Sequence, residues 1–217
     1  MIHGETFDKM RWLALSAGNL LEDEAMQRGD TVVLIRDPTY AAFDKEGTID
    51  DIKISQVLVQ VGKQFWSVVD RQVGYNPDPT HWSDYQKRQF DWLVSTRMGE
   101  LLGVTAFAPG EPIVVVKGAS PAAWFKGNYL GLYEAHPRTW HRSHVNVAFN
   151  NTIVGEWQAR VVSATEMGYP HPHKDGLTLR QTALFKNLLK AYYDAFNLTY
   201  EPIYEPRKDA KADQSGI

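Results

Sequence analysis

Segments of 3.6-residue and of two-residue hydrophobic period follow one another in mixed order along this chain, and that order constrains the fold more than any other feature. Helical spacing runs from Phe7 to Arg28 through Met10, Leu13, Ala14, Ala17, Leu20, Leu21 and Met26, with Gly29 placed to stop it. Gly18-Asn19 in its middle costs about 1 kcal/mol of helix propensity relative to alanine and marks a place for a break. Thr31 to Ile35 is β-branched and short, which predicts a strand ahead of Asp37-Pro38. From Ile52 to Val69 apolar residues alternate on both sides of Gly62-Lys63, the pattern of a hairpin. Gly74 to His81 has loop chemistry. Trp82, Tyr85, Phe90, Leu93, Val94, Leu101 and Leu102 then return to helical spacing, with Thr80 or Ser83 as N-cap and Gly103 as the stop.

The same alternation continues toward the C-terminus. Ile113 to Val116 is apolar without interruption, as a buried central strand requires. The segment 118–131 takes no assignment. Val145, Val147 and Phe149 alternate, Asn150-Asn151 offers a turn, and Ile153 to Val162 alternates again, which predicts a second hairpin. Leu179, Ala183, Leu188, Leu189, Tyr192, Tyr193 and Phe196 form one helical face, opened by Thr178 and Gln181 in the spacing of a capping box. The expected fold class is α+β: a single domain over 1–206 with a largely antiparallel sheet built from two hairpins plus a buried strand. Amphipathic helices stand at its N-terminus, middle and C-terminus, and 207–217 forms a polar tail. No internal repeat is read.

Composition removes several functions. Cysteine is absent, which excludes disulfide scaffolds, thiolate zinc sites, iron–sulfur clusters and a cysteine nucleophile. The apolar runs, such as Val57–Val61 and Ile113–Val116, fall far short of the roughly 20 residues of a membrane-spanning helix. No secretory signal is recognised at the N-terminus, so a soluble protein of open localisation is expected. The 23 Lys and Arg stand against 26 Asp and Glu, a balance that makes nucleic acid an unlikely partner. Glycine-rich phosphate loops and the G-x-S-x-G elbow are missing.

Histidine clusters in one region: His136, His141, His144, His171 and His173. In Tyr169-Pro-His-Pro-His-Lys-Asp-Gly176 an extended, proline-stiffened backbone would send His171 and His173 to one side, with Asp175 continuing the spacing. With His144 these residues make a candidate site for zinc or another divalent metal, the alternative to having no cofactor at all. Glu156 or Glu166 would then serve as general base in metal-assisted hydrolysis. The plainer reading is a rigid solvated loop. Arg138, Trp140 and Arg142 interleave cations with an aromatic ring, a pattern that grips phosphate, although a surface cation–π pair explains it as well. Asp50-Asp51 and Glu22-Asp23-Glu24 read as solvated faces.

Aromatic residues make 12% of the chain, with Trp66, Trp82, Trp92, Trp124, Trp140 and Trp157 spread through its elements. Tryptophan and tyrosine gather where proteins meet, since they bury large areas and keep a polar handle; a bulky core is the competing explanation. The leading expectation is a non-enzymatic structural or interaction subunit of an oligomer or hetero-assembly, with a virus or phage particle as its specific form. A metal-dependent hydrolase is the alternative, and a polyanion-binding module the second.

Overall fold

In the computed structural model the described residues are 4–35, 45–53, 56–116, 125–132, 144–151 and 156–202, with backbone alone over 125–132, 144–151 and 156–161. They are α+β, as expected, with helices at the N-terminus, in the middle and at the C-terminus. The strands form two five-stranded antiparallel sheets, where the sequence suggested one, and the chain divides into two compact units. The first draws mainly on Met1–Val94 and Leu188–Glu201, the second mainly on Ser95–Gly118 and Ala122–Asn187.

The first unit holds α1 (Gly4–Leu15), α2 (Ala17–Leu21), a 3-10 turn (Glu22–Ala25), β1 (Thr31–Leu34), β2 (Lys45–Lys53), β3 (Gln56–Val61) and β4 (Gln64–Val68). A second 3-10 turn (Asp70–Gln72) then leads into β5 (Val73–Gly74). The expected first helix is thus divided, at Ser16 rather than at Gly18-Asn19, and it ends at Leu21, well before Gly29. After α3 (Asp84–Thr96) the same series returns: α4 (Met98–Leu102), a 3-10 turn (Gly103–Ala106), β6 (Pro112–Val115), β7 (Phe125–Leu132), β8 (His144–Asn151) and β9 (Glu156–Ser163). A 3-10 turn (Ala164–Glu166), β10 (Met167–Gly168) and α5 (Leu179–Asp194) complete it. Asn150-Asn151 continues the ladder of β8 instead of turning, because Asn150 pairs with Trp157 and Asn151 with Glu156.

Strand order is β4-β3-β2-β1-β5 in one sheet and β10-β6-β7-β8-β9 in the other, the same order read from opposite ends. A four-strand meander whose fifth strand returns beside the first through a 3-10 turn is the topology of SH3-like barrels, a frame that hosts many unrelated functions. The repeat extends to register. Thr31 pairs with Thr48 and Pro112 with Asn128, and β2 and β7 each carry an irregularity at the matching place, between Ile49 and Asp51 and between Tyr129 and Gly131. Asp50 is therefore the extra residue of a bulge.

Side chains repeat as well. Gly18 lies where a Cβ would come within 2.1 Å of the Asp70 carbonyl oxygen, and Gly99 where one would come within 1.8 Å of that of Ala164. Only a bare backbone lets α2 and α4 sit so close to the 3-10 turns. Tyr75 and Tyr169 donate their hydroxyls to the carbonyls of Ala25 and Ala106. Gln86 closes a capping box with Ser83 and donates its Nε2 to the Thr31 carbonyl at 2.7 Å. Gln181 does the same with Thr178 and Pro112, also at 2.7 Å. Tyr85 donates to Glu24 O at 2.8 Å, and Arg180 reaches Thr105 O at 2.8 Å, so different side chains fill one role.

The core of the first unit lies between its helices and one sheet face: Met10, Leu13, Leu21, Val32, Val33, Ile49, Val57 and Val59 are buried. In the second, Met98, Ile113, Val115, Met167 and Phe185 are buried. Complete burial of a residue such as Leu13 contributes roughly 1.5–3 kcal/mol through removal of apolar surface from water.

Candidate interaction surface

β4 reads Gln64-Phe65-Trp66-Ser67-Val68, with neither a charge nor a proline. It follows β3 through Gly62-Lys63, the hairpin turn expected from the sequence. Gly62 takes φ 61° while Lys63 stays at negative φ, as a type II′ turn with glycine at its first central position requires. The ladder runs unbroken from Val61 with Gln64 to Val57 with Val68. A two-residue turn closes on a hydrogen-bonded pair, here Val61 with Gln64, and bonded and non-bonded pairs alternate from there. The backbone N–H and C=O of Trp66 accordingly face β3, and those of Phe65 and Ser67 face away from it.

β4 ends the strand order of its sheet, and Gln64 to Ser67 are all exposed. Trp66 stands opposite Val59, on the side of the sheet that buries Val57 and Val59, and is 38% exposed; Phe65 stands opposite Gln60 on the other side and is 57% exposed. With Leu179, they are the exposed large hydrophobic residues among the described ones. Lys45 Nζ lies 4.2 Å from the Trp66 ring centroid, a cation–π contact of about 0.5–1 kcal/mol at an exposed site. Sheet edges in proteins are ordinarily blunted by lysine, proline, a bulge or extreme shortness. β5, the other edge of this sheet, is two buried residues long, whereas β4 has none of these protections.

Most other described aromatic residues serve the core. Trp82 packs on Phe90 at 4.7 Å between centroids and donates its Nε1 to Asn76 O at 2.8 Å. Tyr192 meets Phe7 and Phe90, each at 5.3 Å, and donates to the Pro77 carbonyl. Among the described residues the aromatic side chains therefore divide mainly between packed positions and one exposed pair. Sequence reading placed Trp66 in a hairpin but not at its open edge; the signal was the absence of charge between Lys63 and Asp70.

The histidine loop is folded back where extended backbone was expected. His171 is buried, and its Nδ1 accepts the His173 N–H at 3.1 Å. Its carbonyl accepts from the N–H groups of Lys174, Asp175 and Gly176. These local bonds turn the chain, and the two rings meet edge to face at 5.8 Å. Among the described residues no three His, Asp or Glu side chains form a set that could hold a metal ion. Glu166 accepts the Ser163 N–H at 3.2 Å, capping a 3-10 turn. His144 opens β8 opposite Ser163 and Glu156 opens β9; the side chains of both lie outside the described residues. Arg138, Trp140, His141 and Arg142 lie outside them entirely, as do His136 and the tail.

Asp30 and Glu111 occupy matching loops. Asp30 accepts the Gln27 N–H at 3.1 Å, and Glu111 accepts that of Ala108 at 3.0 Å. Glu111 also receives the Thr178 hydroxyl at 3.2 Å and Arg180 Nη1 at 3.1 Å. Burial raises the Asp30 carboxyl above its ordinary range, against hydrogen bonds from Ser83 and Gln27 that lower it. These acids fasten loops to helix starts. No helix of the described residues is long and apolar enough to cross a membrane.

No protein-family model matches the chain, and no curated protein matches it. Among solved structures it is similar to the crystal structure of Arabidopsis thaliana AGDP1 AGD34, at 10% identity, over 78% of this chain and 91% of that one, with a TM-score of 0.21. At that score neither fold nor function is transferred.

Proposed function

We propose that this chain is a non-enzymatic interaction subunit that takes up another polypeptide strand along the open edge of β4. One observation carries the reading: Phe65 and Trp66 stand exposed on the two faces of an edge strand that has no charge, proline or bulge. Strand addition obtains affinity from main-chain hydrogen bonds and specificity from alternate side chains. Here the outward groups of Phe65 and Ser67 supply the bonds, and Trp66 and Phe65 offer apolar area on the two sides of the sheet. The two units supply frames whose caps are made the same way. A virus or phage particle, the form expected from the sequence, is one assembly such a subunit would serve.

The test is selection of random peptides on the immobilised full chain. Peptides should bind the wild type in extended form and lose binding to the doubly charged Phe65→Lys, Trp66→Lys variant. Peptides that bind both proteins equally, or a selection that yields none, would overturn the proposal.

A further inference from the structure

We infer that the strand received by β4 is β4 of a second copy of this chain, paired antiparallel about a two-fold axis at Trp66. The inference rests on β4 being an interaction edge, and four further observations select the occupant. The first is register. The outward backbone groups belong to Phe65 and Ser67, which flank Trp66 symmetrically. An antiparallel copy sets each Phe65 opposite the other copy's Ser67 as a hydrogen-bonded pair, and the two Trp66 residues opposite each other as a non-bonded pair, where side chains approach closest. Every outward N–H of the strand centre then donates to a C=O of the other copy, and every outward C=O accepts from an N–H.

The second is the contrast inside the chain. By its place in the ladder, Trp66 opposite Val59 corresponds to Arg160 opposite Val147 in β9. β9 carries Glu156 as well as Arg160, while β4 carries no charge. Charged residues on an edge oppose pairing with another chain. Of two edges built on one plan, the one in the first unit has been left fit to pair.

The third is charge at the strand ends. Lys63 precedes β4, and Asp70 follows it within two residues. Antiparallel pairing brings the lysine end of each copy beside the aspartate end of the other, whereas parallel pairing would set like ends together. The fourth is closure. β5 is too short and too buried to serve as a receiving edge and β9 carries Glu156 and Arg160, so among the described strands head-to-tail growth has no second uncharged edge. Pairing of β4 with β4 uses one patch twice and stops at a dimer. A five-residue strand spans about 17 Å. Such a contact falls below the roughly 1,200 Å² of standard stable interfaces, which makes the dimer concentration-dependent.

Sedimentation of the full chain across a hundredfold concentration series tests this. The wild type should rise from the 24.6 kDa of one chain toward twice that mass. Phe65→Pro removes an outward N–H that β3 does not use, and should weaken the dimer by about tenfold or more with an unchanged circular dichroism spectrum. Because the chain has no cysteine, Phe65→Cys and Ser67→Cys each introduce a lone thiol. Mixed under mild oxidation, the two variants should form a disulfide-linked pair far faster than either does alone. A wild type that stays at one chain mass throughout overturns the inference, as does a dimer in which the mixed thiols fail to link. If the chain is monomeric yet still binds peptides in a β4-dependent way, the second copy is wrong while the interaction edge stands.

Discussion

The hydroxyls of Tyr75 and Tyr169, each just beyond a two-residue strand, make the same hydrogen bond in the two units, each donating to the carbonyl of the alanine that ends a 3-10 turn, Ala25 and Ala106. Both rings are fully buried. Tyr75→Phe or Tyr169→Phe leaves a buried carbonyl without its donor, so each should cost about 1–3 kcal/mol in denaturant unfolding. Burial raises both phenols well above their ordinary range. The folded state thus holds their protons more tightly than the unfolded chain does. Stability is fully present below about pH 10 and should fall as pH rises beyond it, a loss that each variant reduces.

Gly18→Ala and Gly99→Ala should both destabilise. Helix propensity alone would give a gain of about 1 kcal/mol. The added Cβ, however, would meet the Asp70 and Ala164 carbonyl oxygens at 2.1 and 1.8 Å, and backbone cannot yield as a flexible side chain does. A loss of about 1–3 kcal/mol is expected, as for overpacked sites. Thermal melting decides the sign.

Glu22 and Gly103 end α2 and α4 at matching places, with φ 53° and 67° and ψ −133° and −157°. An L side chain is strained in this region and glycine is not. Glu22→Gly should therefore stabilise the first unit by up to about 1 kcal/mol, because strain of 1–3 kcal/mol is relieved against the added entropy of the unfolded chain. A lowered melting temperature would contradict the pairing of these positions.

Asp30→Asn tests the loop acid. The raised carboxyl means that folding favours the protonated form, so ionisation of Asp30 costs stability as pH rises through and above the carboxylate range. Asparagine keeps an acceptor for Gln27 and Ser83 without the charge. The variant should gain stability relative to wild type at neutral pH, and the gain should shrink as pH falls toward about 4 and be lost below it. Urea titrations at the two pH values measure it.

Much of the fold was legible because helical and alternating periods report burial directly. The capping box of Thr178 with Gln181, the Gly62-Lys63 turn and the buried strand at Ile113 all lie where local chemistry put them. The repeat escaped notice because it has no fixed period. Gly18, Leu20, Leu21, Ala25 and Gly29 return 81 residues later as Gly99, Leu101, Leu102, Ala106 and Gly110. Loop lengths then shift the correspondence, so Thr48 matches Asn128, and Tyr75 matches Tyr169. Equivalent contacts also come from unlike residues, as with Tyr85 and Arg180. The edge of β4 was hidden for another reason: alternation says which residues share a face, whereas strand order, a long-range property, says which strand is left open. The histidine loop is not extended as expected because local hydrogen bonds to His171 outweigh the extended preference of its prolines.

Amide hydrogen exchange at Phe65 and Ser67, followed residue by residue as concentration is raised, tests the interaction edge most directly. Trp66 and Val68, bonded to β3, should exchange slowly at every concentration. Phe65 and Ser67 should exchange fast in dilute protein and become protected as a second strand docks. Fast exchange at both positions under all conditions, selected peptides included, would contradict it.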